Sequence, residues 1–242
     1  MRNTESVDIL AFGAHPDDVE LSAGGTLIKC KQDGLRTAIV DLTGGELGTR
    51  GSVSIRKSEA KKASDLLFLD HRCHLELEDG YFEINAHSLN KVIEMIRRFT
   101  PQIVLANAPS DRHPDHGRAS ELVERACFLS GLPKIKTQFL GKNQAPHRPK
   151  HVFYYIQDRF IKPDFVVNIT SFHEQKLKAI AAYKSQFFNP DSTEPNTPIS
   201  SQSFWELLTG KAQLMGRYAG YELGEGFVTS RPLGIDSLMD ID

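Results

Sequence analysis

The chain has 242 residues, 40% hydrophobic and 25% charged, with a formal net charge of −2; this composition fits a soluble globular protein with one sizeable core and supplies no basic field for nucleic acid or an anionic membrane, so a small substrate is expected. Cys30, Cys73 and Cys127 are odd in number, widely spaced and without a Cys-x-x-Cys pair, which argues against a disulfide framework and a thiolate zinc site and for reduced, mostly buried thiols. The apolar stretch in the first twenty residues is short and broken by His15, Asp17 and Asp18, so neither a signal peptide nor a membrane span is expected, and a cytoplasmic protein is the simplest reading.

Residues 7–13 (VDILAFG) form a nearly continuous apolar run, the pattern of a parallel strand buried on both faces, and residues 21–32 can follow as a helix. Residues 36–42 repeat the strand pattern, then a glycine-rich stretch (43–54) leads into a lysine- and alanine-rich helix over 55–67. A weaker strand is predicted at 71–77. Residues 86–99 carry Leu89, Val92, Ile93 and Ile96 at helical spacing. Strand 103–106 and helix 118–129 come next, then strands at 152–157 and 165–169 and helices at 171–185 and 204–219. Strands alternating with helices predict an α/β fold, Rossmann-like and doubly wound around a mostly parallel sheet, with ligands gathered beyond the carboxyl ends of its strands. Two long loops interrupt the pattern, 131–150 with several basic residues and 187–203 with little apolar content; loops of that length commonly form functional lids or rims.

Two clusters follow strand patterns: His15-Pro16-Asp17-Asp18 and His113-Pro114-Asp115-His116. A single His-Pro-Asp is commonly a turn or a helix cap, but two strands ending at one sheet edge would bring this pair together. A catalytic zinc takes three protein ligands and keeps a fourth position for water, which His15, Asp18 and His116 would satisfy. Asp17 is then the general base. His113 is the candidate for stabilising the oxyanion formed on attack at an amide, with Asp115 orienting its imidazole and favouring the protonated form. A purely structural zinc would be closed by a fourth ligand and would need neither Asp17 nor His113, which weighs against a non-catalytic metal-dependent binding protein. His71, His74, His87, His147, His151 and His173 lack this context and read as surface or internally satisfied histidines. Gly24 and Gly25 are read as close packing of the first helix on the sheet, since no phosphate-loop pattern surrounds them.

The segments AFGAHPDDVE (11–20), Gly24-Gly25-Thr26 and SDRHPDH (110–116) closely resemble the two signatures of the zinc-dependent PIG-L (LmbE-like) N-deacetylases. The resemblance implies one LmbE-like deacetylase domain over 1–242, one Zn2+ per chain with Fe2+ as the alternative, and the same ligand, base and oxyanion assignments. It also implies substrate contacts at Glu46, Arg56 and Asp79. Within the family, the GGELGTRG stretch (44–51) and AYKSQ (182–186) look most like the bacillithiol-biosynthesis branch, so the implied reaction is removal of the N-acetyl group from N-acetylglucosaminyl malate. A chitooligosaccharide or a mycothiol-type precursor is the alternative substrate. The same branch implies a homo-oligomer, a hexamer. Tyr183 and Gln186 are weaker contact candidates, and the basic loop at Lys134, Lys136, Lys142, Arg148 and Lys150 is a candidate for steering an anionic substrate.

Overall fold

An unbroken apolar strand needs cover on both faces, and β1 (Ile9–Gly13) has it: all five residues are buried. The pleat sends Leu10 and Phe12 into one core and Ile9 and Ala11 into another. The chain continues through α1 (Asp18–Gln32), β2 (Thr37–Asp41), α2 (Val53–Leu66), β3 (His71–His74), α3 (Ala86–Phe99), β4 (Ile103–Ala106) and α4 (Pro114–Ser130). A small hairpin, β5 (Gln138–Phe139) and β6 (Lys142–Asn143), precedes β7 (His151–Tyr155), β8 (Phe165–Asn168), α5 (His173–Ala181), α6 (Gln202–Ala219) and β9 (Gly224–Thr229). These elements come from a computed structural model that describes residues 5–240.

The seven-stranded sheet has the order β3-β2-β1-β4-β7-β9-β8. Neighbours from β3 to β7 pair parallel, and β9 runs antiparallel between β7 and β8. This is the doubly wound, mostly parallel sheet that the alternation predicted. On one face, Val92, Ile93, Ile96 and Phe99 of α3 and Leu122, Val123 and Ala126 of α4 pack on the even-numbered residues of β1 and β2. On the other, Val19, Ala23 and Leu27 of α1 cover Ile9, Ala11 and Ile39, with Ala179 of α5 beside them. A third cluster joins α2, α5 and α6 through Ala60, Ile180, Tyr183 and Leu208.

The order of strand addition reverses between β1 and β4, which run parallel: from β1 the sheet grows through β2 and β3, whereas β4 lies on its other side. The carboxyl ends of two adjacent strands there diverge into different crossovers and leave a crevice, the usual place for a ligand in an open α/β sheet. Both His-Pro-Asp clusters fall at this edge, since β1 ends at Gly13 and β4 at Ala106.

Two expectations are corrected. Residues 224–229 were not predicted as a strand, yet β9 lies inside the sheet; its Gly224, Glu225 and Gly226 carry almost no strand signal. The predicted helix at 171–185 is a 3-10 turn at Thr170–Phe172 followed by the shorter α5. The reading of Gly25 holds: a Cβ there would come within 2.9 Å of the Ile169 side chain, so a larger residue would push α1 off the sheet. The three cysteines are free, with Cys127 buried and the other two half-buried. Among the described residues no helix is long and apolar enough to cross a membrane.

Candidate metal and catalytic site

Helix α1 starts directly after the first cluster, and the start is strained. Asp17, its N-cap residue, has φ 114° and makes no side-chain cap, a backbone state that costs a non-glycine residue about 1–3 kcal/mol. Arg56 of α2 holds the turn: one Nη donates to the Pro16 carbonyl at 2.8 Å and to Asp17 Oδ2 at 3.1 Å, and the other to the Gly45 carbonyl at 3.3 Å. Gly45, at φ +70°, has no room for a Cβ beside that guanidinium. The glycine-rich segment after β2 is therefore shaped to let Arg56 reach the first cluster.

The second cluster opens α4, with Pro114 at its first turn and His113 as N-cap. His113 Nδ1 accepts from the Asp115 amide at 3.3 Å, so in the neutral ring the proton sits on Nε2. Burial, then the neighbouring His15 and His116, push the His113 pKa down.

His15, His113 and His116 present ring nitrogens within 4.8 Å of one another. His116 Nε2 is 3.1 Å from Asp18 Oδ1, and His15 Nδ1 is 3.7 Å from Asp18 Oδ2. The far nitrogen of each of these two rings is held by carboxylates: His15 Nε2 lies 3.0 Å from Asp79 and 3.3 Å from Asp115, and His116 Nδ1 lies 2.5 Å from Asp111. Imidazoles with one nitrogen on a carboxylate and the other turned toward a shared acid are the arrangement of metal-binding histidines. Asp18 is itself fixed by the His15 amide, Asn107 Nδ2 at 3.0 Å and Gln157 Nε2 at 3.1 Å.

The charge balance also fits a cation. Asp17, Asp18, Asp79, Asp111 and Asp115 are all buried, and they are met by Arg56 and, from the edge, by Arg118, which bonds Asp115 Oδ1 at 2.8 Å. Burial alone would lower the His116 pKa, but Asp18 and Asp111 outweigh it and raise it to about 9. Asp79 is held at about 2 by the His15 hydrogen bond and charge against the pull of burial. Asp17 goes the other way: burial pushes it up to about 7, opposed by the Arg56 charge and assisted by Asp18. That is a carboxyl able to take and return a proton near neutrality.

Of the nine residues singled out by sequence, eight converge here: His15, Asp17, Asp18, Arg56, Asp79, His113, Asp115 and His116. Glu46 does not. Its side chain is exposed and turns back to accept from the Gly44 amide at 3.1 Å. Three others stand in places different from those expected. Asp115 does not accept from the His113 ring; its carboxylate takes the Gly80 amide, Arg118 and His15, and although its charge favours a protonated His113, burial and the two neighbouring histidines outweigh it. Asp79 sits behind His15 and accepts the Leu47 amide at 2.9 Å, and Arg56 is committed to the Asp17 turn. Sequence reasoning missed Asn107, Asp111 and Gln157; each lies within a few residues of a strand's carboxyl end, and Asp111 also lies inside the SDRHPDH segment.

The cluster forms one end of a cavity of about 350 Å³. Thr197, Pro198 and Ile199 of the long loop 187–203 line it, as does Gln186, so that loop is a rim, as its length suggested. Tyr183 is fully buried with its hydroxyl on Glu20. The basic loop 131–150 is pinned to the other edge of the sheet. Arg97 grips its Leu132 and Ile135 carbonyls, and His147 and Lys150 bond Pro101 and Gln102 just before β4, so it does not face the cavity. His173 is buried with Nε2 on the Thr209 hydroxyl, but its Nδ1 has no hydrogen-bond partner among the described residues, so it is only half satisfied.

A model of the PIG-L family, described as GlcNAc-PI de-N-acetylase, matches residues 10–127, the span that carries both clusters. The chain is 30% identical over 230 residues to the diacetylchitobiose deacetylase of Thermococcus kodakarensis, covering 90% of this chain and 81% of that protein. It is 28% identical over 198 residues to a probable N-acetyl-alpha-D-glucosaminyl L-malate deacetylase 2 of Bacillus anthracis, covering 74% of this chain and 81% of that one. The crystal structure of a conserved protein from Thermus thermophilus superposes with a TM-score of 0.84 at 34% identity, covering 96% of this chain and 98% of the other. With a relative at this identity aligned along nearly its whole length and both signatures built into one site, the chain belongs to the PIG-L family of hydrolytic N-deacetylases.

Proposed function

We propose that the chain removes the N-acetyl group of an N-acetylglucosaminide, releasing acetate and a free amine, with His15 Nδ1, Asp18 and His116 Nε2 holding one Zn2+ and Fe2+ as the alternative ion. The observation that carries this reading is the pair of buried imidazoles, each braced by a carboxylate on its far nitrogen and turned toward Asp18 on the near one. When bound, the metal supplies Lewis acidity toward the amide carbonyl and toward water. Asp17 accepts the proton of the attacking water, its buried carboxylate standing beside the proposed ligand Asp18. Arg56 keeps that carboxylate in place through the Pro16 and Gly45 carbonyls. His113 offers Nε2–H to the developing oxyanion as a neutral donor, because its Nδ1 is engaged by the Asp115 amide. Asp79, Asp111 and Asp115 act through the two histidines they brace.

Two substrates are in view. N-acetylglucosaminyl malate is supported by the bacillithiol-like motifs and by the Bacillus relative, and diacetylchitobiose by the Thermococcus relative, which aligns over more of this chain. The reading also includes a single domain over 1–242 and a homo-oligomer, a hexamer, which small-angle scattering tests.

The experiment is acetate release from both compounds and from free N-acetylglucosamine, by protein of defined zinc content beside metal-stripped protein. Metal-dependent release from either conjugate supports the reading. Release that persists after stripping sinks the metal assignment, and turnover of the malate conjugate no better than of free N-acetylglucosamine removes the bacillithiol substrate.

A further inference from the structure

The cavity continues well past the histidine and aspartate cluster. One face of α1 runs along it, with Asp18 at the head of the helix and Leu21 and Ser22 one turn on, positions that share a face at i, i+3 and i+4. Helix α6 lines it with Phe204, Leu208 and Met215, again one helical face. Ile156 and Ile199 complete an apolar lining, and Leu21, Ile199 and Phe204 are only partly buried, packed on the cluster that contains Leu208. A polar reacting end thus opens into an apolar arm.

The buried charged groups along this arm are already paired. Lys176 Nζ is 2.7 Å from Glu225 Oε1, and both side chains are buried. The Glu225 carboxylate also takes the Gly25 and Thr26 amides and the Thr26 hydroxyl at 2.6–2.9 Å, so the Lys176 charge is neutralised by a carboxylate that is fixed in place. Arg56 is held on Asp17. Arg112 and Lys211 share Asp158 at the solvent-exposed rim, where an anionic substituent would have to compete with that carboxylate. A dicarboxylate drawn past the rim into the arm would lose hydration, since the one positive charge in excess, of Arg112 and Lys211 on a single carboxylate, stays at the rim.

We infer that the arm receives an apolar alkyl or aryl group carried by the substrate, so that N-acetylglucosaminides bearing a hydrophobic substituent are preferred over the free sugar and over a dicarboxylate conjugate. This rests on the N-deacetylase reading of the cluster. Helix α1 sets the dimension: the apolar lining begins one helical turn, about 5 Å, from Asp18, so a substituent of a few carbons next to the sugar already enters it.

The test compares kcat/KM of the metal-loaded protein on methyl and octyl N-acetylglucosaminides and on N-acetylglucosaminyl malate. A second series keeps a methyl glycoside and lengthens the N-acyl chain. In parallel, calorimetry compares binding of the deacetylated methyl and octyl glucosaminides. The octyl compound is expected to gain about tenfold or more, the effect of burying two methylenes, through KM. Ile199→Asn, in the rim loop, is expected to shrink the octyl-to-methyl ratio. A gain along the N-acyl series instead supports the arm and assigns it to the acyl chain. Equal methyl and octyl values in both series, or preference for the malate conjugate, overturns the inference and leaves the deacetylase reading standing. Absence of turnover on every compound overturns that reading, and the calorimetry then decides the arm alone: tenfold tighter octyl binding sustains it, and equal binding removes it.

Discussion

Strands in residues 5–130 lead at their carboxyl ends into acids and histidines, whereas the part of the cavity built from residues 131–240 is mostly glycines, amides and apolar side chains, and its charged residues, Lys176 with Glu225 and Lys211 with Asp158, are paired with one another. Asp17 and Asp18 follow β1, Asp79 follows β3, and Asp111, His113 and His116 follow β4. The later part supplies Ile156 and Gln157 after β7, the Gly224–Gly226 stretch of β9, the rim loop and one face of α6. Reaction chemistry and shape selection are thus separable along the chain. Changes in the first set should act on metal binding and kcat, and changes in the second on the choice of substrate.

The largest expected effect belongs to the first part. Asp17→Asn keeps the size and removes the proton acceptor, so turnover should fall by about 10²–10⁴ while bound metal, measured by elemental analysis, stays equimolar. Metal loss in that variant would move Asp17 into the ligand set. Next, Asp111→Asn and Asp79→Asn each withdraw a carboxylate from a histidine nitrogen, and metal affinity measured by chelator competition should drop about 10–100-fold. Unchanged affinity in both would separate the histidines from the metal.

Arg56→Ala sharpens the comparison between positioning and gripping. With its guanidinium on Asp17, Pro16 and Gly45, its loss should lower kcat, by about tenfold or more given the sensitivity of rate to placement, and change KM little. A rise in KM alone would restore the substrate-contact role that the family resemblance implied. The smallest effects are expected from Glu46→Gln and from Lys134→Glu with Lys136→Glu, about twofold or less in kcat/KM, since these side chains lie away from the cavity lining. A salt-dependent KM that disappears in the lysine variant would reinstate steering by the basic loop.

Much of this was legible before the structure. Burial on both faces writes an apolar run, so β1 and β4 were read directly, and α3 was bounded correctly because its apolar stripe ends at a capped terminus with Asn85 before it. The two clusters were found because each gathers several side chains of the few kinds that bind metals into four residues after a strand. What escaped was tertiary in origin. Asn107 and Gln157 matter through the atoms they face, and nothing in their neighbourhoods says so, whereas Asp111 stands inside the SDRHPDH segment and was passed over there. Asp115 was paired with its sequence neighbour His113, but its carboxylate leans across to β1's histidine, a hundred residues away. Strand β9 escaped because Glu225 is paid for by partners in α1 and α5 rather than by local pattern.

That last contact constrains how the molecule is made. A nascent chain that has emerged as far as residue 130 already carries every proposed ligand and the base, yet Gly25 and Thr26 in α1 still await a carboxylate 200 residues ahead, and β7 and α6 are missing from the cavity wall. Contacts of such sequence separation form late and slowly. The proposed ligands and base therefore all lie in the earlier part of the sequence, and the cavity around them is walled only once β9 slots between β7 and β8.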